Sequence, residues 1–198
     1  IGYYPAGFPT TDKSIENIKA IVDAGADIIE VGLPFSDPMM DGPTIQDAAN
    51  VALDAGFRTR EIMRVVREVT EHGGTCVVMS YWNPILQYGP ERFAKDLAAA
   101  GGRGTIIPDL IPEEAGQWQR AAEANGLSNI MLVAPSSTNE RLQLTATAST
   151  GFVYATSHMG VTGAQASVDS AAGKLVARTR EVTDTPVCVG LGVSNGEQ

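Results

Sequence analysis

Two acids eleven positions apart are the first residues in this chain whose placement suggests chemistry. Glu30 sits inside the apolar run Ile28-Ile29-Glu30-Val31, and Asp41 sits inside the stiff loop Pro38-Met-Met-Asp-Gly-Pro43. Alternate side chains of a strand share a face, so Glu30 points with Ile28 and Gly32. Where that face lines the inside of a barrel, the carboxyl is surrounded by apolar groups. It must then find a partner or raise its pKa. Asp41, eleven positions on, is placed to reach back over the same strand end. Two acids in different surroundings are suited to dividing acid and base work between them. Each residue taken alone also fits a plainer role. Glu30 fits a buried ion pair, and Asp41 fits a turn acid before Gly42-Pro43. Asp37, before Pro38, reads as a turn acid or loop brace.

Two glycine loops come next, Gly160-Val-Thr-Gly163 and Gly190-Leu-Gly192. Glycine lets the backbone approach an anion closely. Loops after adjacent late strands of a barrel commonly offer N–H groups to a phosphate. Either loop alone is explained by turn geometry, and the pair together favours a phosphate site. Tyr154 ends a strand-like run and lines the expected mouth, although a lone aromatic there also fits the core. Tyr3, Tyr81 and Trp82 fall on the same rim, as a flat-ligand pocket or as a lid on the barrel. Asp109, after Pro108, fits a catalytic-face position and equally a cap or brace.

The elements that must position these residues alternate regularly. Strand-like runs occur at 1–4, 27–31, 76–79, 105–107, 130–133, 152–154 and 186–189. Between them lie helical patterns, such as Ile15, Ile18, Ile21 and Val22, or Ile62, Val65, Val66 and Val69. Ser80-Tyr81-Trp82-Asn83-Pro84 reads as an aromatic loop, and Pro112-Glu113-Glu114 as the start of a helix. Regular βα alternation allows a doubly wound sheet or a (β/α)8 barrel. Functional-looking residues follow nearly every strand instead of one switch point, which favours the TIM barrel. The seven runs are expected to form one domain over 1–198. That domain is read as a barrel fragment lacking the eighth strand and the N-terminal extension, with open edges at its first and last strands.

Composition narrows the function classes. The 198 residues are 43% hydrophobic and 19% charged, which suits a globular core over a disordered chain. A net charge of −9 argues against nucleic acid or an anionic membrane surface as a partner. No apolar run approaches the roughly 20 residues of a membrane span. Cys76 and Cys188 each lie in an apolar strand, as expected for core thiols in a cytoplasmic protein. His72 and His158 are too few and too far apart to suggest a metal site.

The run from Glu30 to Gln46, Glu-Val-Gly-Leu-Pro-Phe-Ser-Asp-Pro-Met-Met-Asp-Gly-Pro-Thr-Ile-Gln, resembles the signature of the tryptophan synthase alpha chain family. Tyr81-Trp-Asn-Pro84, Pro108-Asp109, Tyr154 with Ser157-His-Met-Gly-Val-Thr-Gly163, and Gly190-Leu-Gly-Val-Ser194 follow in the family's order. The resemblance spans the whole chain. It implies a (β/α)8 barrel that cleaves indole-3-glycerol phosphate to indole and glyceraldehyde 3-phosphate. It implies a heterotetramer of two alpha and two beta chains, with pyridoxal phosphate only on the beta chain and no cofactor or metal on this one. By position, Glu30 matches the family's acid/base and Asp41 the carboxylate that accepts the indole N–H. Tyr154 matches the aromatic residue at the substrate, and Thr162 the loop residue that orders over the site. Gly163, Gly190 and Gly192 fall at the phosphate turns, and Tyr3 and Val78 at the wall of the indole pocket. Met40 departs from the pattern, where a small residue is usual. So does Gly102-Arg-Gly104, which lacks an acid. Two rival readings are a ligand-binding activator of a beta chain and a different phosphate-binding barrel, such as a sugar-phosphate isomerase.

Overall fold

Parallel strands and outer helices alternate along the chain. The structure, a computed structural model, describes residues 1–157 and 170–190. The strands are β1 (Gly2–Pro5), β2 (Ile29–Gly32), β3 (Cys76–Met79), β4 (Gly104–Ile106), β5 (Ser128–Ile130), β6 (Leu132–Val133), β7 (Val153–Thr156) and β8 (Val187–Gly190). The helices are α1 (Thr11–Asp23), α2 (Pro43–Asp54), α3 (Ile62–Glu71), α4 (Trp82–Tyr88), α5 (Pro90–Ala99), α6 (Gly116–Ala124), α7 (Asn139–Ala148) and α8 (Ser170–Arg180). Every strand pairing is parallel, in the orders β1-β2-β3-β4-β5 and β6-β7-β8. Only Met131 separates β5 from β6, and its carbonyl accepts from Tyr154 N–H at 2.9 Å. The two short strands are therefore one path, and seven strand paths form the wall of a TIM-type barrel.

Side-chain parity divides the core into two layers. Ile29, Val31, Cys76 and Val78 point outward and pack with Ile15, Ile18, Val65, Phe93, Leu97 and Trp118 of the helices. Val77, Ile106, Ile130 and Tyr154 point inward and pack with Ile28, Met79, Leu132 and Cys188. A sheet buried on both faces is why the strands read as near-continuous apolar runs. Pro43 and Pro90 open α2 and α5, where a missing N–H costs nothing. Thr10 and Thr138 cap α1 and α7 through their side chains.

Two local expectations differ from the structure. The aromatic stretch expected as a loop turns into α4 at Trp82. Asp109, in the segment after β4, accepts from Trp82 N–H at 2.9 Å and so caps α4 from outside. Pro84 lies in the first turn and breaks no helical bond. The helix expected from Pro112 begins only at Gly116, and Glu113 pairs with Arg141 of α7 at 2.8 Å instead.

Candidate active site

Strand β2 carries the central group. Ile29 and Val31 anchor it to the helices, so Glu30 between them faces the barrel interior, where it is 6% exposed. In register it lies level with Tyr3 on β1 and Val77 on β3. Among the described residues its side chain makes no ion pair. Burial pushes the carboxyl pKa from 4.5 up to about 7, against a smaller opposing pull from the N-terminal ammonium. An acid with that pKa can both give and take a proton near neutral pH.

Two tyrosines share the interior face with it, each lying across a glycine of the next strand. The Tyr3 hydroxyl lies over Gly32, and the Tyr154 hydroxyl lies over Gly190. Neither site has room for a Cβ. Small residues on β2 and β8 are thus what let the phenols lie flat against the interior wall. The Tyr3 phenol is pushed well above its usual range by burial, then by the charges of Asp41 and Glu30, then by Tyr81. The Cys188 thiol, level with Tyr154, is raised mainly by burial, and Glu30 adds to it. The field of Glu30 therefore reaches both β1 and β8.

Asp41 comes from the long segment between β2 and α2. It is half-buried, and burial raises its carboxyl while a hydrogen bond from Tyr81 opposes that rise. The Tyr81 hydroxyl donates to Asp41 Oδ1 at 3.2 Å and accepts from Met40 N–H at 2.9 Å. Gln46 Nε2 donates to the Asp41 backbone oxygen at 2.6 Å. Burial also pushes the Tyr81 phenol up to about 12, so it stays a donor throughout the ordinary pH range. Its ring packs on Phe35 with centroids 5.5 Å apart. The site thus holds two carboxyls, Glu30 and Asp41, and three phenols, Tyr3, Tyr81 and Tyr154. Among the described residues no lysine, arginine or histidine pairs with either carboxyl.

Of the residues singled out in the sequence, Glu30, Tyr3, Tyr154 and Gly190 lie on the interior face, and Asp41 comes from the loop above it. Val78 does not join them. Its neighbours Val77 and Met79 take the interior, and Val78 faces the helices, fully buried. It is therefore no pocket wall. Thr162, Gly163 and Gly192 lie outside the described residues. Tyr81, read from sequence only as a rim aromatic, is the group that grips Asp41. Its position just past the end of β3 was the available signal. The same end of the barrel presents exposed apolar side chains on three consecutive βα segments: Met39, Leu86 and Ile111. Among the described residues no group of three or more His, Cys, Asp and Glu could hold a metal ion. No helix among them is long and apolar enough to cross a membrane.

Comparison with known proteins gives one consistent result. The family model for tryptophan synthase alpha chains matches residues 1–198. The tryptophan synthase alpha chain of Mycobacterium avium is 57% identical over 198 residues, which are all of this chain and 73% of the relative. A tryptophan synthase structure from Mycobacterium tuberculosis superposes with a TM-score of 0.93 at 56% identity, covering 97% of this chain and 74% of that one. A tryptophan synthase complex from Pyrococcus furiosus gives a TM-score of 0.88 at 34% identity, covering 99% and 78%.

Proposed function

Because the chain belongs to the tryptophan synthase alpha chain family of lyases, we propose that Glu30 and Asp41 carry out its retro-aldol cleavage of indole-3-glycerol phosphate. The observation that carries this assignment is Glu30 buried on the interior face with no ion pair among the described residues, its pKa pushed up to about 7, together with a second carboxyl held by a phenol in the loop above.

The steps follow from the groups present. Protonated Glu30 gives its proton to indole C3, which breaks the ring's aromaticity and leaves positive charge at N1. Ionised Asp41 accepts the N1–H and offsets that charge in a site poor in water. Glu30, now a carboxylate, takes the proton of the glycerol hydroxyl next to C3. The electrons of that O–H bond form the aldehyde C=O, and the C–C bond breaks. Its electron pair restores the indole ring, and Glu30 ends protonated as it began. This route needs proton transfers alone, which is consistent with an alpha chain without its own cofactor. The proposal leaves pyridoxal phosphate to the beta chain.

The beta chain is proposed to dock at the end of the barrel where Met39, Leu86 and Ile111 stand exposed, since exposed apolar groups there favour a protein cover. Both cysteines are free thiols, which suits a reducing cytoplasm. The assay is indole release from indole-3-glycerol phosphate by the full chain mixed with beta chain. Release that requires this chain supports the reading, and a folded chain that releases none overturns it.

Gly190→Ala tests the role given to Tyr154. The new methyl must push the phenol off the β8 backbone, and a displaced contact of this kind costs about tenfold to a hundredfold in kcat/KM. Steady-state kinetics unchanged by this substitution would remove Tyr154 from the substrate's surroundings.

A further inference from the structure

The segment between β2 and α2 must satisfy two opposed demands. Met39 stands 73% exposed at the rim, yet Asp41, two residues later, must turn its carboxylate inward. Leu33 N–H is tied to the Met79 carbonyl at 2.9 Å, and Gln46 holds the Asp41 backbone oxygen. Neither touches the carboxylate. Among the described residues the group that does is the Tyr81 hydroxyl, which binds the Met40 N–H and Asp41 Oδ1 together.

Tyr81 itself sits on a stiff frame. It follows Ser80, whose N–H is bonded to the Ile106 carbonyl at 3.0 Å and whose hydroxyl donates to the Tyr81 carbonyl at 2.8 Å. Immediately after it α4 starts, capped by Asp109. Its side chain is almost fully buried, at 5% exposure. The order of support therefore runs from the β3–β4 edge, through the phenol, to the catalytic loop.

We propose that Tyr81 is a positioning residue for the cleavage, its one hydroxyl fixing both the backbone and the carboxylate of the loop that carries Asp41. The proposal rests on the assignment of Asp41 above. Tyr81 acts through Asp41 and leaves the reacting atoms to others. The hydroxyl aims Oδ1 at the place the indole N–H must occupy. It also helps keep the half-buried carboxyl ionised, because a bond donated to a carboxylate favours its charged form. The titratable groups facing Asp41 are Tyr81, from the end of β3, and Tyr3, from β1. Neither supplies a positive charge, so among the described residues the Tyr81 hydroxyl is the side-chain donor to this carboxylate.

The test uses the full chain with beta chain and compares Tyr81→Phe, Asp41→Asn and the double variant. Phenylalanine keeps the ring on Phe35, and thermal unfolding confirms that the fold survives. Tyr81→Phe is expected to lower kcat by about ten- to a hundredfold with KM changed less than about threefold. The acid limb of its pH profile should move to higher pH, since Asp41 then ionises less readily. In the Asp41→Asn background the same substitution should cost less than about twofold, because the two groups act as a unit. An equal loss in both backgrounds, or a kcat above half with the acid limb unmoved, overturns the proposal for Tyr81. Full turnover by Asp41→Asn overturns the assignment beneath it, and the role of Tyr81 with it.

Discussion

Glu30→Gln in the full chain is expected to abolish indole release while indole-3-glycerol phosphate still binds. The amide has nearly the same shape, so the interior wall and the two phenols stay in place. It has no proton to give at C3 and no lone pair basic enough to take the hydroxyl proton. General acid and base catalysis by one residue contributes about 10²–10⁴-fold, and here both halves are lost at once. The expected kcat is therefore at or below about one part in 10⁴ of the parent, with substrate affinity within a few-fold. Turnover above about one per cent would hand the proton transfers to another group. The substitution also separates the rival reading of a pure activator. A Glu30→Gln chain that still stimulates a beta chain, yet releases no indole, has kept docking and lost chemistry.

Asp41→Asn is expected to have the second-largest effect. The asparagine oxygen can still accept from Tyr81, so the loop keeps its anchor. What disappears is the negative charge opposite N1 when the protonated indole forms. Removing one fixed electrostatic stabiliser from a dry site costs about 10²–10³-fold in kcat. KM should change much less, because neutral indole needs only an acceptor and the amide supplies one. A loss below about tenfold would remove Asp41 from the reaction.

How much of this was legible in the sequence depended on whether a contact was local. Alternation within β2 puts Glu30 on one face with Ile28 and Gly32, but leaves open which face is inward, and Gly190 reads in the sequence as a residue that lets the backbone approach an anion. Val78 is given to the pocket wall by resemblance alone, and the structure packs it against the helices while Val77 takes the interior. The register of Val77 against Glu30 puts both on the same face, and register depends on strand pairing. The start of α4 was missed for a related reason. Its cap, Asp109, is 27 positions away and belongs to the next βα segment. In the sequence Asp109 fits a catalytic-face position, a cap or a brace equally well. It caps a helix other than the one that follows it. Tyr81 falls in the same class. Its hydroxyl reaches across some 40 positions to Met40 and Asp41, and no local pattern announces such a bond.

Titration of the Glu30 carboxyl tests the central claim most directly. A raised pKa means that the folded state holds this proton more tightly than the unfolded chain does. The stability linked to it is then complete below about 4.5 and lost as pH rises through about 7. Relative to Glu30→Gln, the parent should lose on the order of 3 kcal/mol over that interval, at about 1.4 kcal/mol per pH unit. The measurement is the carboxyl infrared band in a difference spectrum between parent and Glu30→Gln, followed against pH. The predicted result is a midpoint near 7, and a midpoint near 4.5 would contradict a buried carboxyl that donates and recovers a proton.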